Sequence, residues 1–216
     1  MTKVPPTRPI TLQRIRQILS KYAPPPSEEI CYKIQIYIDL LVKWSRRMPL
    51  TALLDPEQIV RFHFGESIFA LAIMDADRNG RLADVGTGAG FPGLALKLAD
   101  EAISALLIES NRKKCAFLHE VIRRLSIKDA KVIATRFELA EIQRESLSFV
   151  TCRALGGHAP LLQWARDKLE LGGSVVVWLG EADAKSVSRR SGWQWGRPEL
   201  IPDTRGRYIL KGVRSE

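Results

Sequence analysis

The feature that most constrains this 216-residue chain is the stretch Asp84-Val85-Gly86-Thr87-Gly88-Ala89-Gly90-Phe91-Pro92-Gly93. An acidic residue closes a short apolar run, and glycine then returns at every second position. Glycine adopts positive φ without strain and lets a main chain approach a ligand that any Cβ would push away. Upstream, Arg81 to Val85 suits a buried parallel strand, and downstream Leu94, Leu96 and Leu98 lie in a stretch without glycine or proline. The order predicted is strand, glycine turn, helix, a turn shaped to meet a nucleoside.

Two ligand patterns overlap in this turn. Gly88-Ala89-Gly90-Phe91-Pro92-Gly93 fits G-x-G-x-x-G, which sets a pyrophosphate at a helix N-terminus, the arrangement of an NAD(P)-binding oxidoreductase. Asp84 followed by Gly86, Gly88 and Gly90 resembles motif I of class I methyltransferases, where the glycines pass beneath the amino-acid half of S-adenosylmethionine. Pro92 favours the second pattern, because proline has no N–H to offer a phosphate, although it fits sterically at a first helical position. Glu109, at the end of the next apolar run Ile103–Ile108, stands where either ligand needs a carboxylate to accept hydrogen bonds from ribose hydroxyls.

Around this centre, helical spacing of Leu12, Ile15, Ile18 and Leu19 predicts a first helix, ended before Pro24-Pro25-Pro26. Ser27 is placed to cap a second helix carrying Ile30, Ile34, Tyr37, Ile38, Leu41 and Trp44, although Ile34 to Asp39 also alternates as a strand would. Asp55, Pro56 and Gln58 form the start signal of a third, with a capping box and an apolar face through Ile59, Phe62 and Ile73. Beyond the loop, strands at 130–133, 148–152 and 174–179 alternate with helices at 113–125 and 161–169, the last of those strands following a Gly172-Gly173 turn. Tyr208–Leu210 is expected to pair with a segment within Trp193–Ile201. The fold class expected is α/β, a mostly parallel seven-stranded Rossmann-like sheet with helices on both faces, with a helical extension at 1–78 and the ligand-binding domain at 79–216.

A formal charge of +9 and a pI near 9.7 favour a polyanionic partner. Trp193 and Trp195, interleaved with arginines, are read either as stacking surfaces for unpaired bases or as core. No apolar run is long enough for a membrane span, and the N-terminus, with Pro5, Pro6, Arg8 and Pro9, has no signal-like apolar region; a cytoplasmic protein is expected. Cys31, Cys115 and Cys152 are too scattered for a disulfide framework or a metal clip, so no metal is expected.

Segments outside the loop carry a more specific resemblance. Leu40-Leu41-Val42-Lys43-Trp44 with Leu50-Thr51, His63 with Glu66-Ser67, Asn111-Arg112-Lys113-Lys114 with Phe117-Leu118, Arg136-Phe137-Glu138, and Arg153-Ala154 are similar to successive segments of the bacterial 16S rRNA guanine-N7 methyltransferases, the glucose-inhibited division protein B family. The resemblance extends along nearly the whole chain. It implies S-adenosylmethionine as cofactor and 16S rRNA or the small ribosomal subunit as partner; a monomer is expected. Carried over by position, it implies cofactor contacts from Gly86, Phe91, Phe137, Glu138 and Arg153, beside Asp84, Gly88, Gly90 and Glu109 from the loop reading. No catalytic residue is assigned, since guanine N7 offers a lone pair and has no proton to lose.

Four positions depart from the family pattern: Pro49 for asparagine, Glu66 for aspartate, Cys152 for serine and Leu179 for lysine. They fall on the expected RNA side, which leaves room for a catalytically silent RNA-binding protein on the same fold. Thr151-Cys152-Arg153-Ala154 lacks the Asn/Asp-Pro-Pro-aromatic motif of amino-directed methyltransferases, which argues against adenine-N6 chemistry. Cys152 is either a small buried hydrophobe or the thiolate of a cytosine-C5 mechanism. His63, a lone histidine on an apolar face, is expected to be a satisfied core residue.

Overall fold

A computed structural model describes residues 9–74, 80–153 and 156–215. The first helix, α1 (Leu12–Leu19), is capped by Thr11, whose side chain accepts from the Arg14 N–H, and its buried side carries Ile15, Ile18 and Leu19. α2 (Glu28–Ser45) is capped by Ser27, and Ile34, Tyr37, Ile38 and Leu41 are buried at helical spacing. The helical register prevails over the local alternation because those side chains are the ones that meet the core.

Asp55 caps α3 (Pro56–Ile59) by accepting from the Gln58 N–H at 2.9 Å, with Pro56 at the first position as expected. The return bond of a capping box is not made. The segment then widens into a π-turn, Val60–Gly65, resumes as α4 (Glu66–Ile68) and tightens into a 3₁₀ turn, Phe69–Ala72. Consequently Phe62 leaves the expected apolar face and lies under Arg207, 5.3 Å from ring centre to guanidinium carbon. Such an inserted turn reorients side chains within a helix and recurs at functional sites.

The sheet follows: β1 (Arg81–Val85), α5 (Gly93–Ala99), β2 (Ser104–Ile108), α6 (Arg112–Arg124), β3 (Ala130–Ile133), β4 (Leu147–Arg153), α7 (His158–Lys168), β5 (Leu169–Gly180), α8 (Glu181–Val187), β6 (Trp193–Trp195), β7 (Glu199–Leu200) and β8 (Arg207–Arg214). Seven strands lie on one path, β3-β2-β1-β4-β5-β8-β6, and the two-residue β7 pairs with β8 beside it. β1 to β5 pair in parallel; β8 runs antiparallel to β5, β6 and β7. Pairing of Tyr208–Leu210 with the Trp193–Ile201 region is thereby observed. Gly172 and Gly173 do not end a strand. They fall in an irregularity of β5, between the Leu169 and Ser174 pairings with β4, and the strand continues through them.

Alternate residues of the strands serve two apolar layers, as period-two geometry requires. Leu82, Leu107, Phe149 and Val176 join α5, α6 and the N-terminal helices in one core. Ala83, Val85, Ile108, Val150, Cys152 and Val177 join α7 and α8 in the other. The N-terminal helices therefore share a core with the sheet, and the boundary expected at 78/79 lies outside the described residues. Trp193 and Trp195 pack against the second core, and the Trp195 indole N–H donates to the Arg190 carbonyl at 2.9 Å, so both are structural.

Tyr37 of α2 joins the N-terminal helices to the glycine loop. Its hydroxyl donates to the Ala89 carbonyl at 2.6 Å inside the glycine loop. A Cβ added at Gly90, where φ is +90°, would stand 2.1 Å from that hydroxyl oxygen. Gly90→Ala is expected to cost about 3 kcal/mol, through overpacking and a strained φ. Urea unfolding checks this; an unchanged midpoint would contradict it.

Candidate functional site

The loop after β1 satisfies nearly all its own hydrogen-bond donors. Gly86 and Thr87 N–H donate to the Ile108 carbonyl (2.9 and 3.2 Å), and Gly90 and Phe91 N–H to the Thr87 carbonyl (2.8 and 3.0 Å). Gly88 N–H donates to Glu109 Oε2 at 3.0 Å. At the start of α5, Gly93 N–H donates to Asp84 Oδ2 at 2.8 Å. Pro92 precedes the helix as its cap, not its first residue, and has no N–H. A helix start that already holds a buried carboxylate has neither the donors nor the potential for a pyrophosphate.

Asp84 is fully buried. Thr151 is its register partner on β4, so their side chains share a face, and the threonine hydroxyl donates to Asp84 Oδ1 at 2.8 Å. Burial pushes the Asp84 carboxyl up to about 6, against the opposing pull of these hydrogen bonds. Asp84 is thus a strut beneath the loop and does not reach a ligand-accessible surface.

Above the loop, a cleft of about 540 Å³ opens at the carboxyl ends of β1, β2 and β3, lined among others by Gly86, Glu109, Thr135, Phe137, Glu138 and Gly157. Four residues singled out in the sequence therefore converge: Gly86, Glu109, Phe137 and Glu138. Gly86 (φ 66°) and Gly88 (φ 60°) are both left-handed, and a Cβ at Gly88 would meet nothing closer than 3.8 Å, so these glycines keep the floor low. Glu109 is held at both oxygens, Oε2 by Gly88 and Oε1 by the Asn111 N–H at 2.8 Å. Each oxygen retains a further lone pair toward the cleft. Phe137 stands edge-on to Trp164, 5.7 Å between centroids, and Glu138 is exposed beside it. Ser110, Thr135 and the Gly156-Gly157 pair complete the wall. These four carry no motif recognised in the sequence, although a double glycine just after a parallel strand is an available signal.

Gly90, Phe91 and Arg153 do not line the cleft. Gly90 faces Tyr37. Phe91 is only 8% exposed and stacks between Tyr37 (5.5 Å, 21°) and His63 (4.7 Å, 17°). Arg153 reaches across to Glu66, Nη2 to Oε2 at 3.3 Å, and Arg207 holds the other Glu66 oxygen. Glu66 is 1% exposed, and its backbone carbonyl accepts from the Trp178 indole at 2.8 Å. The glutamate departure from the family pattern thus keeps a carboxylate that bridges two arginines. Its carboxyl is raised by burial and lowered by both arginines. Arg153 Nη1 is buried without a partner.

His63 Nε2 lies 2.7 Å from Thr51 Oγ1, and burial, with Arg153 and Arg207 nearby, depresses its pKa to about 3. The imidazole is neutral throughout the physiological range. Cys152 is 2% exposed within the second core, as a small hydrophobe would be, and Leu179 is likewise buried there. Pro49 is exposed; Ala154 of the Arg153-Ala154 pair lies outside the described residues. Among the described residues, no group of three His, Cys, Asp or Glu side chains could hold a metal ion. No helix among them is long and apolar enough to cross a membrane.

The architecture is that of the S-adenosylmethionine-dependent methyltransferases. A SAM dependent methyltransferase from Aquifex aeolicus superposes with a TM-score of 0.60 over 80% of this chain and 97% of that one, at 14% identity. Residues 30–192 match the profile of rRNA small subunit methyltransferase G, and the chain belongs to that family of methyltransferases. Relatives from several bacteria bear the name ribosomal RNA small subunit methyltransferase G. The one from Acetivibrio thermocellus is 35% identical over 69% of this chain. The match spans 63% of that relative's length. The Xanthomonas campestris relative is 32% identical over 83% of this chain and 84% of its own.

The Asp84 strut has a pH signature. Its folded-state pKa, about 6, exceeds the ordinary 3.8, so the folded chain binds the proton more tightly. Its contribution is complete below the lower value and is lost as pH rises to the upper one. Relative to Asp84→Asn, the wild type should lose roughly 3 kcal/mol between those limits. Denaturant unfolding of both proteins across this range checks it; parallel curves would contradict it.

Proposed function

We propose that this protein transfers the methyl group of S-adenosylmethionine to N7 of a guanine in 16S rRNA, in the cytoplasm. The observation that carries the reading is Glu109, fixed at both oxygens and facing a cleft floored by Gly86, with no donor set for phosphate. That floor and carboxylate fit a nucleoside without a pyrophosphate. When bound, the cofactor supplies an electrophilic methyl: the N7 lone pair forms the new N–C bond as the C–S bond breaks, leaving a neutral thioether.

The chain's own residues bind and orient. Glu109 accepts hydrogen bonds from the two ribose hydroxyls. Phe137 supplies apolar surface to the adenine, and Glu138 accepts from its amino group. Asp84 supports the loop from below, with Gly88 and Gly90 giving it shape and Phe91 seating it on His63. Arg153, tied to Glu66 through Nη2, acts as a positioning residue that holds the end of β4 against α4 beside the loop. No base is needed, consistent with a neutral His63. Holding N7 and the methyl carbon at near-attack distance supplies about 7 kcal/mol or more of the barrier reduction. Residues 79–216 carry the cofactor in this reading, and the helices within 1–78 contribute to the RNA side.

The test offers labelled S-adenosylmethionine with small subunits or naked rRNA lacking this modification, then cleaves the chain at N7-methylguanine. Label is expected at one guanine N7; label elsewhere or none refutes the reading. Glu109→Gln should raise the KM for S-adenosylmethionine about 10–100-fold, the loss of charged hydrogen bonds of about 1.5–3 kcal/mol. Steady-state kinetics reads this out, and an unchanged KM would exclude Glu109 from the cofactor site.

A further inference from the structure

A second concave surface lies at the end of α2. The carboxyl end of α2 and the first turns of α6 enclose a groove of about 250 Å³, lined by Lys43, Trp44, Arg47, Met48, Lys113 and Ala116. Its wall is almost wholly hydrocarbon. Trp44 leans edge-on against the buried Phe117, 5.7 Å between centroids, and remains partly accessible. Lysine and arginine stems contribute apolar surface while their charged heads stay in water.

Lys43, Arg47 and Lys113 line this groove, Arg46, Arg112 and Lys114 are their neighbours in the chain, and none of the six is ion-paired to a carboxylate among the described residues. Other basic side chains do have such partners, as in Lys33 with Glu29 at 2.7 Å and Arg123 with Glu120 at 2.8 Å. Three of the six, Arg112, Lys113 and Lys114, sit in the first turn of α6, which has no acidic residue. Cations there oppose the helix dipole. Asn111 already accepts from the Lys113 and Lys114 N–H groups, so the side chains, not the helix end, hold the free positive charge. A local arrangement that works against stability without a compensating contact marks a site kept for a ligand.

We propose that this groove docks a single-stranded stretch of the RNA acceptor, one base lying against Trp44 and the flanking phosphates held by Lys43, Arg47 and Lys113. The inference rests on the RNA acceptor proposed above and adds where that RNA is gripped. Charge complementarity selects a polyanion, and an apolar floor with an indole selects one that also presents a stacking face. The position is suitable: Glu109 lines the cleft, Asn111 caps α6, and Lys113 follows two residues later. RNA seated in the groove therefore runs past the mouth of the cleft.

The test uses the full chain saturated with S-adenosylhomocysteine and measures binding of in vitro transcribed 16S rRNA and of a short single-stranded oligoribonucleotide across a salt series. Neutralising the grip with Lys43→Gln, Arg47→Gln and Lys113→Gln together should weaken binding about tenfold or more. It should also flatten log K against log salt by about 2. Trp44→Leu should weaken binding several-fold and leave that slope unchanged. Both variants should bind S-adenosylhomocysteine as the wild type does. Arg189→Gln with Arg190→Gln, at the opposite end of the sheet, serves as the matched control and should change binding less than the triple variant. If the triple variant keeps wild-type affinity and slope, the groove is not an RNA grip, whether or not methyl transfer to rRNA holds. Unchanged RNA binding with altered sedimentation would assign it to a second copy of the chain. If the wild type shows no salt-dependent RNA binding, the acceptor reading fails as well.

Discussion

A single buried carboxylate organises the ligand-binding end of this molecule. Asp84 lies at the end of a central strand with no access to water, and accepts from the first N–H of the following helix and from the threonine beside it on the neighbouring strand. Removing a carboxylate from water is costly, and the elevated pKa is the mark of that cost. In return, the strand end, the loop and the helix start are fixed to one another. The anion that helix N-termini attract is here part of the protein. A ligand finds a low floor of glycine backbone and the carboxylate of Glu109, which suits a nucleoside and leaves a pyrophosphate unsupported.

The same loop is gripped from its other side by the N-terminal helices. Tyr37 donates to Ala89, fills the space left by the missing Gly90 side chain, and packs against Phe64, Phe91 and Phe117. The cofactor floor is thus clamped between Asp84 below and Tyr37 beside it. Next to this clamp lies the bridge of Arg153, Glu66 and Arg207, connecting the end of β4, the π-turn segment and the last strand. Truncating Glu66 alone would strand two arginines, the costly way to break such a cluster.

Much of this was legible in the chain. Arg81–Val85 and Ala130–Ile133 form strands with the bounds their apolar runs suggested, and Thr11, Ser27 and Asp55 cap the helices they precede. These features depend on neighbours a few residues apart. Glu109 was legible because a carboxylate after a second parallel strand must face the loop after the first. What was illegible depends on partners distant in sequence. Nothing near Gly90 reveals that its missing Cβ makes room for Tyr37, 52 residues from the Ala89 carbonyl it binds. Phe91 and Arg153 were placed by family position as cofactor contacts, yet the structure seats Phe91 between two rings and turns Arg153 toward Glu66. The π-turn that moves Phe62 off its expected face has no local sequence signal, and the close approach of the Tyr22 ring to Gly65 within it joins residues far apart in the chain.

The loop over Asp84 suits the cleft to a nucleoside without a pyrophosphate. Titration calorimetry with S-adenosylhomocysteine and, separately, with NADH tests it most directly. Saturable one-to-one binding of the first is expected, and no heat of binding from the second. Tight NADH binding without S-adenosylhomocysteine binding would contradict it.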